Sequence, residues 1–248
     1  MSSTPDASTA LPPVVILAGG LATRLRPITE QIPKAMVDVN GEPFLAHQLR
    51  LLRARGIERV VLCIGHKGEM IESYLGNGAG FGLSVTYSHD GPRLLGTAGA
   101  IKQALPLAGA AFFVLYGDAY LPCDYRAVWT SYARSGRLAL MTVFRNNDRW
   151  DVSNVEYRDG CIVAYSKEQR TPQMRYIDYG LGVLSATAVD GVATGEPYDL
   201  ARLYGELLAR DQLAGHEVNE RFYEVGSFEG LEETRRYLSR RGGEQETA

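Results

Sequence analysis

The chain has 248 residues, of which 45% are hydrophobic and 22% charged, and its formal net charge at pH 7 is −3. This hydrophobic content and small net charge exclude a chain that is disordered throughout, and a pI near 5.9 excludes nucleic-acid binding through bulk positive charge. No apolar run in the sequence approaches the roughly 18 residues of a membrane-spanning helix. We therefore expect a globular protein with a large core and neither a nucleic-acid nor a membrane partner.

Strand and helix patterns alternate through the first half of the chain. Short apolar runs that end in glycine or a turn predict buried strands, and apolar residues at helical spacing predict helices, with Thr97 as the N-cap of one. The predicted strands are residues 13–17, 59–65, 83–88, 111–116 and 138–144, and the predicted helices are residues 43–55, 67–75, 97–105 and 124–134. This order is typical of βαβ units on a mostly parallel sheet.

The pattern changes in the second half. Asp159-Gly160 is a strong hairpin turn signal between strands predicted at residues 153–158 and 161–166. Further strands are predicted at residues 177–184 and 217–225, with helices at residues 199–210 and 228–240. The predicted fold class is α/β, a mostly parallel mixed sheet flanked by helices, with an added hairpin and mixed sheet in the second half.

The ends and the cysteines complete the predicted organisation. Residues 1–12 are expected to be a disordered lead-in, because they are rich in Ser, Thr and Ala and lack the basic start of a signal peptide. Residues 13–241 are expected to form a single domain, and residues 242–248 a frayed tail. Three cysteines without metal-ligand spacing predict reduced thiols and a cytoplasmic protein; they are Cys63, Cys123 and Cys161.

The most informative segment follows the first predicted strand, where ligands bind in sheets of this kind. Gly19 and Gly20 allow the backbone to approach a bulky anion, and Arg24 and Lys34 supply fixed cations for phosphate oxygens. The segment has neither a P-loop ending nor the G-x-G-x-x-G spacing of dinucleotide sites. Taken alone, it remains compatible with a glycine turn that carries surface arginines.

Carboxylates and small residues follow three other strands. Asp118 comes directly after a buried strand and Glu224 precedes a glycine at another strand end, so the two are expected to hold Mg²⁺, although a loop cap and an exposed side chain are the alternatives. Residues 96–99 precede a helix and either face a flat group or serve close helix–sheet packing. Lys167 at the end of the hairpin either meets a phosphate or is simply solvated.

Together these residues resemble a known signature. The run Gly19-Gly20-x-x-Thr23-Arg24-x-x-Pro27, followed by Pro33-Lys34, is similar to the motif of sugar-1-phosphate nucleotidylyltransferases, also called nucleotide-sugar pyrophosphorylases. The resemblance covers about residues 14–238. Residues 95–100 resemble those of short bacterial heptose- and mannose-1-phosphate guanylyltransferases. The resemblance implies a Rossmann-like fold and one reaction, in which a sugar 1-phosphate attacks the α-phosphorus of a nucleoside triphosphate and pyrophosphate leaves.

The resemblance also implies a role for each matching residue. Arg24 would balance charge on the leaving pyrophosphate, Lys34 would contact the phosphates at the reacting centre, and Asp118 would act there with Mg²⁺. The expected nucleotide-binding residues are Leu17, Ala18, Gly19, Gly20, Thr23, Gly96, Thr97 and Ala98. The expected residues for the sugar phosphate are Ser153, Lys167, Asp178, Tyr179 and Gly180, and those for the metal are Asp118 and Glu224.

Departures from the family pattern lie mostly in the sugar half. Asp178 stands for a common Asn, Ser153 for a common Gly, and Lys167 lies in Ser-Lys-Glu rather than Glu-Lys-Pro, while Glu224 replaces a frequent Asp. The phosphate chemistry is therefore expected to be intact and the sugar specificity unusual. The attacking phosphate oxygen is already anionic, so no general base is expected and the four histidines need no catalytic role.

Two other functions fit parts of the sequence. A glycosyltransferase that uses nucleotide sugars usually carries Asp-x-Asp after the strand, where this chain has Asp118-Ala119-Tyr120. A non-catalytic nucleotide-sugar sensor would be expected to lose Arg24, Lys34 or Asp118, and all three are present. The sequence names neither the nucleobase nor the sugar, and it leaves the oligomeric state open.

Overall fold

The computed structural model describes residues 10–91 and 93–245 of the chain. Residues 1–9 of the predicted lead-in and residues 246–248 of the predicted tail lie outside the described residues. Leu11, which the predicted lead-in includes, is a buried core residue, and the last helix continues to Gln245. None of the described helices is both long enough and apolar enough to cross a membrane.

Nine strands of the described chain form one mixed sheet. They are β1 (Val14–Leu17), β4 (Arg59–Ile64), β5 (Ser84–His89), β6 (Ala111–Tyr116), β8 (Ala139–Arg145), β9 (Val155–Arg158), β10 (Cys161–Tyr165), β11 (Tyr176–Ser185) and β12 (Leu213–Val218). Two further pairs of two-residue strands are β2 (Asp38–Val39) with β3 (Glu42–Pro43), and β7 (Ala119–Tyr120) with β13 (Tyr223–Glu224). The helices are α1 (Phe44–Ala54), α2 (Gly68–Leu75), α3 (Gly96–Ala108), α4 (Tyr125–Ser135), α5 (Leu200–Ala209) and α6 (Phe228–Gln245).

The first half of the chain builds the parallel part of the sheet. Strand β1 pairs in parallel with β4 and β6, and β4 pairs in parallel with β5. The second half adds β11 antiparallel to β6 and β8 antiparallel to β11, with β12 parallel to β8 and the β9–β10 hairpin at the edge. The predicted fold class is confirmed.

Alternate residues of the central strands enter two different cores. Val14 and Ile16 of β1 pack with the apolar sides of α1, α2 and α4, whereas Val15 packs with those of α3 and α5. Side chains alternate between the faces of a strand, so a strand covered on both sides is apolar throughout. This layering leaves the carboxyl ends of β1, β5 and β6 as the edge at which loops can form a site.

The strand predicted at residues 217–225 is wrong. Strand β12 ends at Val218, which pairs with Phe144 of β8. Because β8 itself ends one residue later, at Arg145, β12 has no neighbouring strand in the described chain along which it could continue. After four residues without regular structure, Tyr223 and Glu224 form the short strand β13 against β7 instead.

The predicted N-cap role of Thr97 for its own helix is also wrong. Helix α3 begins one residue earlier, at Gly96, and its N-cap position is Leu95, which makes no side-chain cap. The Thr97 hydroxyl instead accepts a hydrogen bond of 2.6 Å from the backbone N–H of Leu200, the first residue of α5. Thr97 therefore joins the starts of two helices that are far apart in sequence.

Candidate functional site

The loop after β1 is shaped by three short 3-10 turns, at residues 23–25, 28–30 and 34–36. Leu25 is fully buried and anchors the first turn, and the Thr29 hydroxyl donates a hydrogen bond of 2.8 Å to the carbonyl oxygen of Ala22. Ala35 is buried in the core next to Lys34. The loop is thus fixed at both ends, and its cations are held near the sheet edge.

Lys34 and Asp118 form an ion pair at this edge. The Lys34 ammonium lies 2.7 Å from a carboxylate oxygen of Asp118, 84 residues away in sequence, and both side chains are largely buried. Gly117 allows the end of β6, which carries Asp118, to lie close to the end of β1, because a Cβ there would lie 2.8 Å from the carbonyl oxygen of Leu17. The sequence-predicted cation and carboxylate are therefore in direct contact.

Glu224 is brought to the same place by the pair of two-residue strands β7 and β13. It lies opposite Ala119 in the β7–β13 pair, and the backbone N–H of Val225 donates a hydrogen bond of 2.9 Å to the Asp118 carbonyl oxygen. Burial raises the pKa of the Glu224 carboxyl, and the Asp118 carboxylate raises it further, whereas Lys34 opposes both effects. Two neighbouring carboxylates, one of which raises the pKa of the other, are a suitable donor pair for a divalent cation.

The protein donors at this point are few. No group of three or more His, Cys, Asp or Glu side chains suited to a metal ion is found among residues 10–91 and 93–245. Mg²⁺ commonly takes one or two carboxylates and completes its six ligands from phosphate oxygens and water. Asp118 and Glu224 therefore fit a magnesium ion that arrives with a phosphorylated substrate better than a resident structural metal.

A first cavity of about 250 Å³ opens between the β1 loop and the start of α3. Its lining includes most of the predicted nucleotide-binding residues, namely Leu17, Ala18, Gly19, Gly20, Gly96 and Thr97, together with Lys34 and Asp118. Two predicted residues do not line it. Thr23 is exposed in its turn, and Ala98 is fully buried behind the wall, where its N–H bonds the carbonyl of Tyr198.

The structure adds lining residues that the sequence analysis did not assign to the site. They are Ala22, Ala35, Cys63, Asp90, Leu94, Ala100, Tyr116 and Gly117. Asp90 directly follows β5, so the rule that pointed to Asp118 also pointed to it. Burial raises the pKa of the Asp90 carboxyl, and a backbone hydrogen bond from Leu95 opposes that effect. Burial raises the pKa of the Cys63 thiol far above its ordinary value, so this cysteine is not a thiolate nucleophile.

A second cavity of about 390 Å³ lies on the other side of Asp118. The predicted residues that line it are Arg24, Lys167, Asp178, Tyr179, Gly180 and Glu224, and those that the sequence analysis missed are Tyr116, Ala119, Asp151, Val152, Asn154, Ile177 and Phe222. Arg24, expected near the leaving pyrophosphate, lines this cavity rather than the first. Tyr116 and Asp118 line both cavities.

Ser153 lies behind the wall of the second cavity. It is fully buried, and its hydroxyl accepts hydrogen bonds from the Asn146 amide at 3.1 Å and the Asp148 backbone N–H at 3.0 Å. The side chain therefore shapes the loop between β8 and β9. Its neighbours Val152 and Asn154 line the cavity instead.

Asp178 is a half-buried carboxyl in the wall of the second cavity. One of its oxygens accepts a hydrogen bond of 3.0 Å from the Gly180 N–H, and the other lies 3.5 Å from the Tyr165 hydroxyl. Burial raises the pKa of this carboxyl, and the nearby Lys167 ammonium opposes the rise without cancelling it. The ionised form of Asp178 is therefore disfavoured in the folded protein.

The raised pKa of Asp178 predicts that the effect of Asp178→Asn on stability depends on pH. A carboxyl whose pKa is raised on folding favours the native state most at low pH, and that contribution is lost as the pH rises through the folded-state pKa. Since Asn is uncharged at every pH, we expect the variant to have the higher Tm at neutral pH and this advantage to shrink as the pH falls. Thermal unfolding followed by circular dichroism across the acid to neutral range measures it. The exposed Asp190→Asn is the control, and a Tm difference that does not vary with pH would contradict the expectation.

Comparisons with known proteins concern the family of the chain. The family model described as nucleotidyl transferase matches residues 13–153. The chain is 30% identical over 201 residues to D-glycero-alpha-D-manno-heptose 1-phosphate guanylyltransferase of Campylobacter jejuni, covering 79% of this chain and 88% of that protein. It is 29% identical over 203 residues to UTP–glucose-1-phosphate uridylyltransferase of Synechocystis, of which it spans only about half, 52%, with 75% of its own length aligned.

The fold is shared with solved structures. The crystal structure of HddC from Yersinia pseudotuberculosis superposes with a TM-score of 0.77 at 24% identity, covering 92% of this chain and all of that one. At this identity the likeness concerns the fold, which is the mixed sheet described above.

Proposed function

Because the chain belongs to the nucleotidyl transferase family and is a sugar-1-phosphate nucleotidylyltransferase, we propose that its first cavity takes the nucleoside triphosphate and its second the sugar 1-phosphate. The transfer would take place between them, beside Asp118. The observation that carries this proposal is that Asp118 and Tyr116 line both cavities. An in-line attack on the α-phosphorus requires both substrates to meet at one point.

The side chains around Asp118 suit the charges of such a reaction. Lys34 lies beside Asp118 at the junction, the point where the two cavities meet, and would support the phosphates at the reacting centre. The backbone around Gly19 and Gly20 lines the first cavity, which takes the nucleotide in this proposal. The attacking phosphate oxygen is anionic, so positioning and charge stabilisation suffice and no base has to remove a proton. No histidine lines either cavity in the described part of the chain, in agreement with this mechanism.

Asp118 and Glu224 would hold the magnesium ion of the proposed reaction. When bound there, Mg²⁺ would neutralise charge on the phosphate oxygens of the substrates. Arg24 belongs to the β1 loop and lines the second cavity beside Asp118, which supports a position near the attacking phosphate. We assign it to charge balance at the junction, rather than to the nucleotide cavity alone.

The chemistry of its thiols supports a location for the enzyme. All three cysteines are free, and two of them are buried. Free cysteines are typical of proteins from a reducing compartment. We therefore place the enzyme in the cytoplasm.

Pyrophosphate release tests the proposed function. The purified protein is incubated with each of ATP, GTP, UTP, CTP and dTTP against a panel that includes glucose 1-phosphate, mannose 1-phosphate and D-glycero-α-D-manno-heptose 1-phosphate. We expect pyrophosphate only when a nucleotide, a sugar 1-phosphate and Mg²⁺ are all present. Binding of a nucleotide sugar without turnover of any combination would instead indicate a sensor.

Asp178 is expected to select the sugar. It lies on β11 in the second cavity and does not line the first, so Asp178→Asn should change the ranking of sugar 1-phosphates by kcat/KM and leave the ranking of nucleotides unchanged. The same substrate matrix measures both rankings. A change confined to nucleotide choice would mean that the two cavities are assigned in reverse.

A further inference from the structure

The loop between β8 and β9 forms one wall of the second cavity. Asp151 and Val152 of this loop line the cavity, and the loop is closed by the buried side chain of Asn146. The Asn146 oxygen accepts a hydrogen bond of 3.1 Å from the Trp150 N–H, and its amide donates one of 2.5 Å to the Asp151 carbonyl. The loop is compact, but these bonds are internal to it and do not fix its distance from the opposite wall.

The opposite wall is the segment that leads into β13. Phe222 and Glu224 line the cavity from this side. Phe222 packs edge-on against Phe144 and Tyr179, with ring centroids 6.1 and 6.2 Å apart. This wall therefore rests on the sheet.

Arg221 connects the two walls. Its guanidinium carbon lies 3.4 Å from the centroid of the Trp150 ring and 4.8 Å from that of Tyr223. The same guanidinium forms an ion pair with Glu233 of α6. A planar guanidinium can stack on rings through its faces while its N–H groups bond a carboxylate at its edge.

Helix α6 anchors this connection. The Tyr223 ring is stacked on Tyr237 of α6, with centroids 3.8 Å apart and an interplanar angle of 15°. Arg221 is thus held by α6 through Glu233 and through the Tyr223–Tyr237 stack. In turn it holds the ring of Trp150, the residue next to Asp151.

The connection matters because both walls of the cavity are negatively charged. The two walls carry the carboxylates Asp151 and Glu224, both of which line the second cavity. The negative charges on these facing walls repel each other. The Arg221 guanidinium opposes this repulsion, because it joins Trp150, which is next to Asp151, to the segment that carries Glu224. Without it, the loop has fewer contacts holding it at its present distance from Glu224.

We propose that Arg221 is a positioning residue for the sugar 1-phosphate, which sets the width of the second cavity by stacking between Trp150 and Tyr223. The proposal rests on the proposed function only in assigning the sugar 1-phosphate to this cavity. None of the residues in the connection lines the first cavity, so its loss should affect the sugar substrate and spare the nucleotide.

Steady-state kinetics test this selectivity. With the best substrate pair from the pyrophosphate matrix, Arg221→Met should raise the KM for the sugar 1-phosphate at least about tenfold and leave the KM for the nucleotide within about twofold. Arg221→Lys keeps the positive charge but lacks the planar guanidinium that stacks on the rings. Its KM for the sugar 1-phosphate should therefore lie between those of the parent enzyme and Arg221→Met. Arg50→Met is the matched control, since Arg50 also pairs with a glutamate, Glu42, and lies over a ring, Phe81, and we expect both KM values to be unchanged.

Tryptophan fluorescence tests the connection without any substrate. The chain has two tryptophans, so Trp129→Phe leaves Trp150 as the only tryptophan, which can be excited selectively over the tyrosines. In this background Arg221→Met should shift the Trp150 emission to longer wavelength, because the half-buried ring loses the cover that Arg221 gives it and keeps that of Arg149, 4.7 Å from its centroid. Trp150→Leu, which breaks the contact from the other side, should reproduce the KM pattern of Arg221→Met, and the double variant should be less than additive.

The outcomes separate this proposal from the proposed function. An unchanged Trp150 emission, or an equal rise of both KM values, overturns the positioning role even if the enzyme is fully active. If the parent enzyme uses no sugar 1-phosphate, the proposed function fails, whatever the emission shows. A poorly folded Arg221→Met is recognised by its Tm, and the KM pattern of Trp150→Leu then decides.

Discussion

Replacing Lys34 with alanine is expected to lower kcat by at least about 10²-fold, the scale of removing one preorganised charge donor from a reacting centre. Its ammonium lies 2.7 Å from Asp118, and Lys34 is the one lysine or arginine of the described β1 loop that lines the first cavity. The free energy of unfolding should change little, because loop cations seldom anchor a core. Initial rates of pyrophosphate release and thermal unfolding measure the two effects.

The matched control is Lys102→Ala. Lys102 is also partly buried and also bonded, through its ammonium, to the carbonyl oxygen of Val189 at 3.0 Å, but it lines neither cavity. Its removal should leave kcat unchanged. We expect Arg24→Ala to lose turnover as Lys34→Ala does, and wild-type turnover in either variant would remove that residue from the reacting centre.

Asp118→Asn is expected to lower kcat more severely than any other single change at the junction, and Glu224→Gln to lower it less. Both substitutions keep the shape of the side chain and remove its charge. Asp118 lines both cavities, whereas Glu224 lines only the second, so more of the reacting centre depends on Asp118. Each variant should also need more Mg²⁺ for half-maximal rate, which a Mg²⁺ titration at saturating substrates measures.

The double variant shows whether the two carboxylates act through one ion. Its loss should be smaller than the sum of the two single losses in free energy, because the second substitution removes a ligand from a site that is already impaired. Glu220→Gln is the control, an exposed glutamate four residues before Glu224 that lines neither cavity. An unchanged Mg²⁺ dependence in Glu224→Gln would show that Asp118 and substrate phosphates hold the metal without it.

The sheet was predictable because buried strands leave a strong pattern. Strands covered on both faces, such as β1 and β6, are apolar at every position, and glycines mark their ends. Asp118 could be found for the same reason, since a carboxylate directly after such a strand lies at the ligand-binding edge. Asp90 obeys the same rule after β5 and was within reach of the sequence analysis.

Features made by a few hydrogen bonds were not predictable. The two-residue pair of β7 and β13 sets the place of Glu224, and no periodicity reveals a strand of two residues. The loop that carries Asp151 owes its shape to hydrogen bonds of the Asn146 and Ser153 side chains. In the sequence, nothing distinguishes these two residues from other polar residues. Its contact with Arg221 joins positions 71 residues apart, because the fold alone brings them together.

Tyr116 and Asp118 form a wall that the two cavities share, and this shared wall has a consequence for how the rate of the enzyme is controlled. The product of the proposed reaction is a single molecule with a nucleotide half and a sugar half, and under the proposed assignment it would span both cavities at once. A nucleotide sugar that is not consumed downstream would therefore compete with both substrates together. We expect synthesis to slow as its own product accumulates, and this product inhibition would need no second binding site and no partner subunit.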